Sequence, residues 1–298
     1  MNTTVFKRKL SEVYLILVPI LASAVGLGIG HVSYKIYLPV WIINVCLMVA
    51  ATWILASPGL SSGDLEKKQV VTGAVLLILP WMFISMIGGM GPPPFGQPQI
   101  WLSLVTEQEV RYIILIVAAV SAAFGFAVLR EKLKTTRGNL YSKIGFTAIQ
   151  MAMIIFILDM IFLGWYVEEV YRIMATSSLT HSPEWARPMN NQSRILPIVQ
   201  DSLAFIGTAA FASSQKLAGW FKPAACNTYI AFCLLGIILN LLPPSLPEPL
   251  ATLSFIATIP AVLFLMPYFM AINLLKVVAK QPTTRPSDAI PECFVHNS

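Results

Sequence analysis

The chain has 298 residues, of which 56% are hydrophobic and only 11% are charged. An ordinary soluble domain carries about 25% charged residues, so this composition excludes a normal water-facing surface. The formal net charge of +6 is spread over short basic clusters between long apolar runs. It forms no single patch or stripe that would indicate a nucleic-acid partner.

Eight apolar runs follow one another along the chain, and a membrane-spanning helix needs about 20 such residues. The runs cover residues 13–30, 38–56, 70–90, 112–129, 144–167, 198–214, 225–242 and 250–275. The sixth is the least apolar, because Gln200 and Asp201 lie in its first two turns. The pattern predicts an all-α, polytopic helical bundle in a membrane.

The orientation follows from the basic residues, which are retained in the cytoplasm when they lie near helix ends. Fifteen of the 20 Lys and Arg residues fall in the connections on one side of the eight spans. This asymmetry predicts that both termini are cytoplasmic. In an alternative reading, the basic residues 7–9 and the small residues 22–24 belong to a cleaved signal peptide, which would leave seven spans.

We expect residues 1–280 to form a single transmembrane domain and residues 281–298 to form a disordered cytoplasmic tail. The expected location is a bacterial inner membrane, with the lipid bilayer as the main partner. The longest predicted external connection, residues 168–197, is expected to hold a short helix on the membrane surface, anchored by Trp185. It is also the expected docking surface for any partner protein.

Ionisable side chains inside the hydrocarbon region are costly and mark functional sites by default. Asp159 is the outstanding case, because it interrupts the apolar run 154–162. At about 100° per residue, Tyr166 falls within about 20° of Asp159 on the same helix face, and Glu169 about 80° away. The spacing therefore predicts a polar stripe that opens outward.

Neighbouring spans are predicted to bring further polar groups to a similar depth: Asp201, Asn240 and Arg111. Glu169 and Arg172 lie three residues apart and can pair on one helix face. Together with Asp159 and Tyr166 they form the candidate substrate or proton site, an outward-facing cavity. The alternative for Asp159 is a structural ion pair with Arg111 or Arg172, and for Asn240 a hydrogen bond between helices.

Four cysteines without a CxxC spacing and three histidines make no recognisable metal-binding pattern, so we expect neither a metal nor a cofactor. Prolines inside the predicted spans, such as Pro19 and Pro80, are expected to kink the helices and free backbone carbonyl groups for a ligand; the alternative is that they have no special role, since proline is common in membrane helices.

Three functional hypotheses follow. The first is a small permease or flippase-like transporter with a cavity around Asp159 and proton coupling through that carboxylate. The second is a membrane-embedded enzyme acting on a lipid or isoprenoid, with Asp159, Glu169 or Asp201 as acid or base. The third is a non-catalytic subunit or assembly factor that binds its partner through residues 168–197.

Overall fold

A computed structural model describes residues 3–29, 32–88, 97–177, 183–243 and 246–280 of the chain. Within these ranges every regular element is helical. The α-helices are α1 Thr3–Ile29, α2 Tyr34–Leu60, α3 Leu65–Ile84, α4 Pro98–Ser103, α5 Val105–Leu133, α6 Asn139–Ile161, α7 Val167–Thr176, α8 Arg187–Leu217, α9 Pro223–Asn240, α10 Leu250–Ala257, α11 Pro260–Leu263 and α12 Leu265–Lys280. The predicted tail, 281–298, lies outside the described residues.

Eight stretches of the described chain are long and apolar enough to cross a membrane. They are Val5–Gly26, Tyr34–Leu60, Leu65–Ile84, Val105–Leu133, Asn139–Thr176, Ile195–Leu217, Pro223–Asn240 and Pro260–Lys280. Large apolar side chains such as Trp53, Phe124 and Ile154 are exposed on the outside of the bundle, where lipid replaces water. The protein is therefore an all-helical, multi-pass membrane protein, and the predicted fold class is confirmed.

Glycines let two helix pairs approach until their backbones touch. A Cβ on Gly145 of α6 would lie 2.8 Å from the carbonyl oxygen of Gly207 in α8, and α3 meets α5 in the same way at Gly73 and Gly125. Because association in lipid depends on close van der Waals packing, small residues at the crossing points favour such contacts. One crossing joins α6 to α8, and the other joins α3 to α5.

Pro19 interrupts the hydrogen-bond ladder of α1, because proline has no N–H to donate to the carbonyl oxygen of Leu15. The hydroxyl of Tyr268 in α12, which is fully buried, donates to that oxygen instead at 2.6 Å. The carbonyl group that the proline frees therefore binds a neighbouring helix and is not available to a ligand.

Pro80 has the same effect in α3, where it leaves the carbonyl oxygen of Leu76 without its usual partner. The hydroxyl of Ser121 in α5 donates to this oxygen at 2.7 Å. Both prolines thus create a polar attachment point that a second helix fills, as a membrane interior requires.

The last apolar run is not one helix as its length predicts. It is divided into α10, α11 and α12, and the spanning part begins at Pro260 and not at Leu250. Ile259 is extended, with φ −68° and ψ 126°, because a residue that precedes proline is pushed out of the α region. The hydroxyl of Ser254 fastens α10 to the end of α9 by donating to the carbonyl oxygen of Leu239 at 2.9 Å.

The predicted loop 168–197 is also different, because most of its described backbone is helical. The chain continues from α6 through a π-helical segment, Phe162–Tyr166, into α7. A 3-10 turn at Glu184–Ala186 then leads directly into α8, which begins at Arg187. The prediction of a separate helix on the membrane surface is therefore wrong for the described residues. The helices that flank this connection instead extend well beyond the predicted spans.

Candidate functional site

Asp159 lies near the end of α6 that the charge distribution predicts to face outward. Its side chain is 2% exposed, and Oδ1 has no hydrogen-bond partner among the described residues. Phe156, one turn earlier, packs edge-on against Phe264 with ring centroids 5.7 Å apart. The carboxyl group therefore lies in an apolar part of the interior, where an ionised acid is costly unless it is paired.

A second carboxyl group, that of Asp201, comes from α8. It is also 2% exposed, its Oδ2 has no described partner, and it lies close enough to Asp159 for the two charges to interact. The contacts of Gly145 with Gly207 show that Asp159 lies further toward the predicted outer end than Asp201. Because α6 and α8 are antiparallel and side chains lean toward the start of their own helix, the two carboxyl groups lean toward each other.

The α5 helix contributes two residues that the sequence reading missed, Gln108 and Tyr112. Both are buried, and they lie four residues apart on the same helix face. Tyr112 is within electrostatic range of Asp159, and its ring fills the space that a Cβ on Gly164 would occupy. Neither side-chain nitrogen nor oxygen of Gln108 has a described partner. The sequence carries no clear signal for this side of the bundle, because Gln108 stands among the mostly polar residues 106–111 and only the packing of α5 shows that it is buried.

Asn240 binds α9 to α8. Its Nδ2 donates to the carbonyl oxygen of Ile198 at 2.9 Å and to Oγ of Ser202 at 3.2 Å. Its side chain is 3% exposed, and Oδ1 has no described partner. The residue therefore joins two helices at the level of Asp201 and still presents one free acceptor.

Tyr166 does not share the face of Asp159 in the way that regular helical spacing predicts. A π-helix over Phe162–Tyr166 has more residues per turn, so the face that a residue occupies changes across it. The Tyr166 ring stacks on Phe162 at 4.5 Å and meets Trp185 edge-on at 6.0 Å. The tyrosine belongs to an aromatic group beside α7.

Glu169 and Arg172 form the predicted pair, with Nε and Oε2 3.7 Å apart, and Arg172 also binds Glu168. This group lies on α7 with both predicted members largely exposed. Arg111 makes no ion pair with either buried aspartate, and its Nε and Nη1 have no described partner. Neither Arg111 nor Arg172 therefore forms the ion pair with Asp159 that the alternative interpretation predicted.

A cleft with a volume of about 320 Å³ lies at the start of α5. It is lined by Tyr34, Ser103, Leu104, Thr106 and Glu107. None of the seven predicted site residues lines it. The carboxyl groups of Asp159 and Asp201 are enclosed elsewhere, between α6 and α8.

The broken last span borders the carboxyl pair. Phe264 is the residue at which the chain changes from α11 to α12, and it is the residue that packs on Phe156. In membrane transporters, discontinuous helices commonly lie next to ion and substrate sites, since irregular backbone is tolerated where it is enclosed by protein.

No protein-family model matches the chain, and no curated protein or solved structure is significantly similar to it. Within the described residues, no group of three or more His, Cys, Asp or Glu side chains comes together in a way that could hold a metal ion. The buried polar groups are therefore the features of the described residues that indicate a function.

Proposed function

We propose that the protein is a small permease in which the buried carboxyl group of Asp159 carries a coupling proton. The observation that supports this proposal is the pair formed by Asp159 and Asp201. Each is 2% exposed, each has an oxygen without a described partner, and they come from different spanning helices.

A purely structural acid at this depth would be expected to pair with a cation, because an unpaired buried charge destabilises a protein strongly. Arg172 binds Glu168 and Glu169 instead. A carboxyl group that can gain and lose a proton avoids this cost, since it is neutral in the protonated state. This is the property that proton-coupled transporters require of an intramembrane acid.

The structural surroundings support movement at this place. The π-helix at Phe162–Tyr166 begins three residues after Asp159, and π-helical turns are frequent at functional sites. Phe264, at the interruption between α11 and α12, packs on Phe156, which lies one turn before Asp159. An aspartate between two irregular helices is well placed to respond when either helix moves.

The first experiment compares the lipids and metabolites of cells that lack the gene with those of complemented cells. Complementation uses the native sequence, Asp159→Asn, or the control Glu12→Gln, which removes a carboxylate that binds Lys276 in another helix pair. We expect a compound that is redistributed across the membrane, restored by the native chain and the control but not by Asp159→Asn. Accumulation of a substrate together with loss of a chemically related product would contradict transport and support a membrane enzyme.

A further inference from the structure

Three side chains from three different helices present oxygen atoms that no described group donates to. They are Oδ1 of Asp159 in α6, Oδ2 of Asp201 in α8 and Oδ1 of Asn240 in α9. All three side chains are 97% buried or more, since their exposed fractions are 2%, 2% and 3%. Buried polar atoms in folded proteins are almost always hydrogen-bonded, so this excess of acceptors requires an additional donor.

The orientation of the Asn240 amide is fixed by its surroundings. Nδ2 faces the carbonyl oxygen of Ile198, and only the nitrogen of an amide can donate to a carbonyl group. The amide therefore cannot be reversed, and Oδ1 must be the atom that remains without a partner. An acceptor is held in place beside α8, and α8 itself offers no described donor to it.

Asp201 lies at the same level as this acceptor. One turn deeper, Gly236 of α9 touches the ring of Phe205 in α8. Since α8 and α9 are antiparallel, one turn back along α8 and one turn forward along α9 bring Asp201 to the level of Asn240, whose Nδ2 binds Ile198 and Ser202 on either side of it. At this level Oδ2 of Asp201 and Oδ1 of Asn240 are both acceptors without a described donor, and a proton on the carboxyl group would supply one.

The other titratable groups around Asp201 do not supply the missing positive charge. The α6 helix contributes the charge of Asp159, and the neighbouring Gln200, which is neutral, forms a hydrogen bond with the Asp201 side chain. Among the described residues neither aspartate forms an ion pair with Lys or Arg. Two carboxylates within interaction range in an apolar interior disfavour a second negative charge.

We propose that Asp201 is held permanently protonated and donates a hydrogen bond from Oδ2 to Oδ1 of Asn240, which leaves Asp159 as the only acid of the pair that exchanges its proton. The inference rests on the proposed function for the role of Asp159 but not for the state of Asp201. One proton satisfies both unpartnered oxygens and removes the repulsion between the two acids. Asp201 is then a positioning residue that keeps the region around Asp159 neutral.

Infrared spectroscopy of the full-length protein in lipid nanodiscs tests the protonation state directly. A protonated carboxyl group has a carbonyl stretching band that is separate from the bands of ionised carboxylates and of the backbone. We expect a component of this band that persists as the pH is raised in the native protein and in Asp159→Asn and that is absent in Asp201→Asn, where any band from Asp159 disappears as the pH rises. Asn240→Leu should move the band to higher frequency, because the carboxyl group loses its acceptor, and Gln215→Leu, at the far end of α8, should leave it unchanged.

Other spectra would overturn the inference. A band that is unaffected by Asp201→Asn would place the proton elsewhere, loss in Asp159→Asn alone would reverse the two roles, and loss in both variants would indicate a shared proton. Transport supplies a separate test, because asparagine at position 201 can donate to Asn240 as the protonated acid does. We expect Asp159→Asn to abolish transport, and Asp201→Leu, which removes the donor, to lower the transport rate more than Asp201→Asn, which keeps one. The expected spectra without any transport would reject the proposed function and leave the inference about Asp201 intact.

Discussion

Gly145 and Gly207 lie so close together that a Cβ on either would come within 3 Å of the other's carbonyl oxygen, at 2.8 Å and 2.9 Å respectively. This contact fixes how near α6 and α8 approach, and it therefore determines how close Asp159 and Asp201 come. The glycine contact and the two aspartates thus belong to the same pair of crossing helices, α6 and α8.

The glycine contact gives the first prediction. Gly145→Ala should lower the free energy of unfolding by about 1 to 3 kcal/mol, because the new methyl group forces two backbones apart. Gly28→Ala is the matched control, since nothing lies within 4 Å of a Cβ at that helical position. Alanine favours a helix over glycine, so the control should be neutral or slightly more stable. Equal midpoints of thermal denaturation for the two variants in one detergent would contradict the crossing.

The second prediction concerns the carbonyl group that Pro80 frees. Ser121→Ala should destabilise the protein by about 1 kcal/mol, because the carbonyl oxygen of Leu76 loses the donor that replaces its helical partner. The same change in a Pro80→Ala background should cost almost nothing, since alanine at that position supplies the missing N–H. Thermal denaturation of the four proteins measures this coupling.

Ser213→Ala is the matched control, because the hydroxyl of Ser213 donates within its own helix to the carbonyl oxygen of Ala209. Its effect should be the same with either residue at position 80. If Ser121→Ala were equally destabilising in both backgrounds, the serine hydroxyl would not be compensating for the proline.

Cysteine accessibility gives the third prediction. Cys226 and Cys233 are fully buried and Cys46 is exposed. In a background that carries Cys46→Ser and Cys293→Ser, an apolar fluorogenic maleimide should label the protein only as it unfolds. The labelling midpoint should then coincide with the midpoint from tryptophan fluorescence, whereas a chain that retains only Cys46 should be labelled while folded. Rapid labelling of Cys226 in the folded state would show that α9 is packed differently.

Membrane orientation is the subject of the fourth prediction. A fluorescent reporter joined after the full chain should be active, because an even number of spans returns the chain to the cytoplasm. The same reporter joined after Asn240 should be dark, and alkaline phosphatase at that point should be active. Phosphatase activity after the full chain would contradict the predicted cytoplasmic C-terminus. The signal-peptide alternative also places the C-terminus in the cytoplasm, because its seven spans start from an external N-terminus, so sequencing the N-terminus of the mature protein tests it separately.

The number of spans was predicted well because it depends on the length of each apolar run, which can be read directly from the sequence. It also identified Asp159 and Asp201, since a charge in an apolar run is visible without a structure. Gln108 and Tyr112 were missed because their importance arises from what α5 faces. The pairing of helices across the bundle cannot be derived from a composition that is apolar on all sides.

Two errors had a different physical origin. The position of Tyr166 was calculated with a regular helical period, and a π-helix changes that period without a clear sequence signal. The last run was treated as one span because Pro260 lies within a hydrophobic segment, and hydrophobicity does not report a break in the backbone. Both errors occur next to the candidate site, where irregular helices are expected most.

The hydrogen bond from Tyr268 to Leu15 joins residues that are 253 positions apart. A ribosome makes α1 well before α12, and the carbonyl group that Pro19 leaves without its helical donor must wait for a hydroxyl that is synthesised much later. The ion pair between Lys276 of α12 and Glu12 of α1 likewise forms only when both helices have been made. An early helix is therefore completed by a much later one, and the chain must be made through α12 before the carbonyl group of Leu15 finds this donor within the lipid.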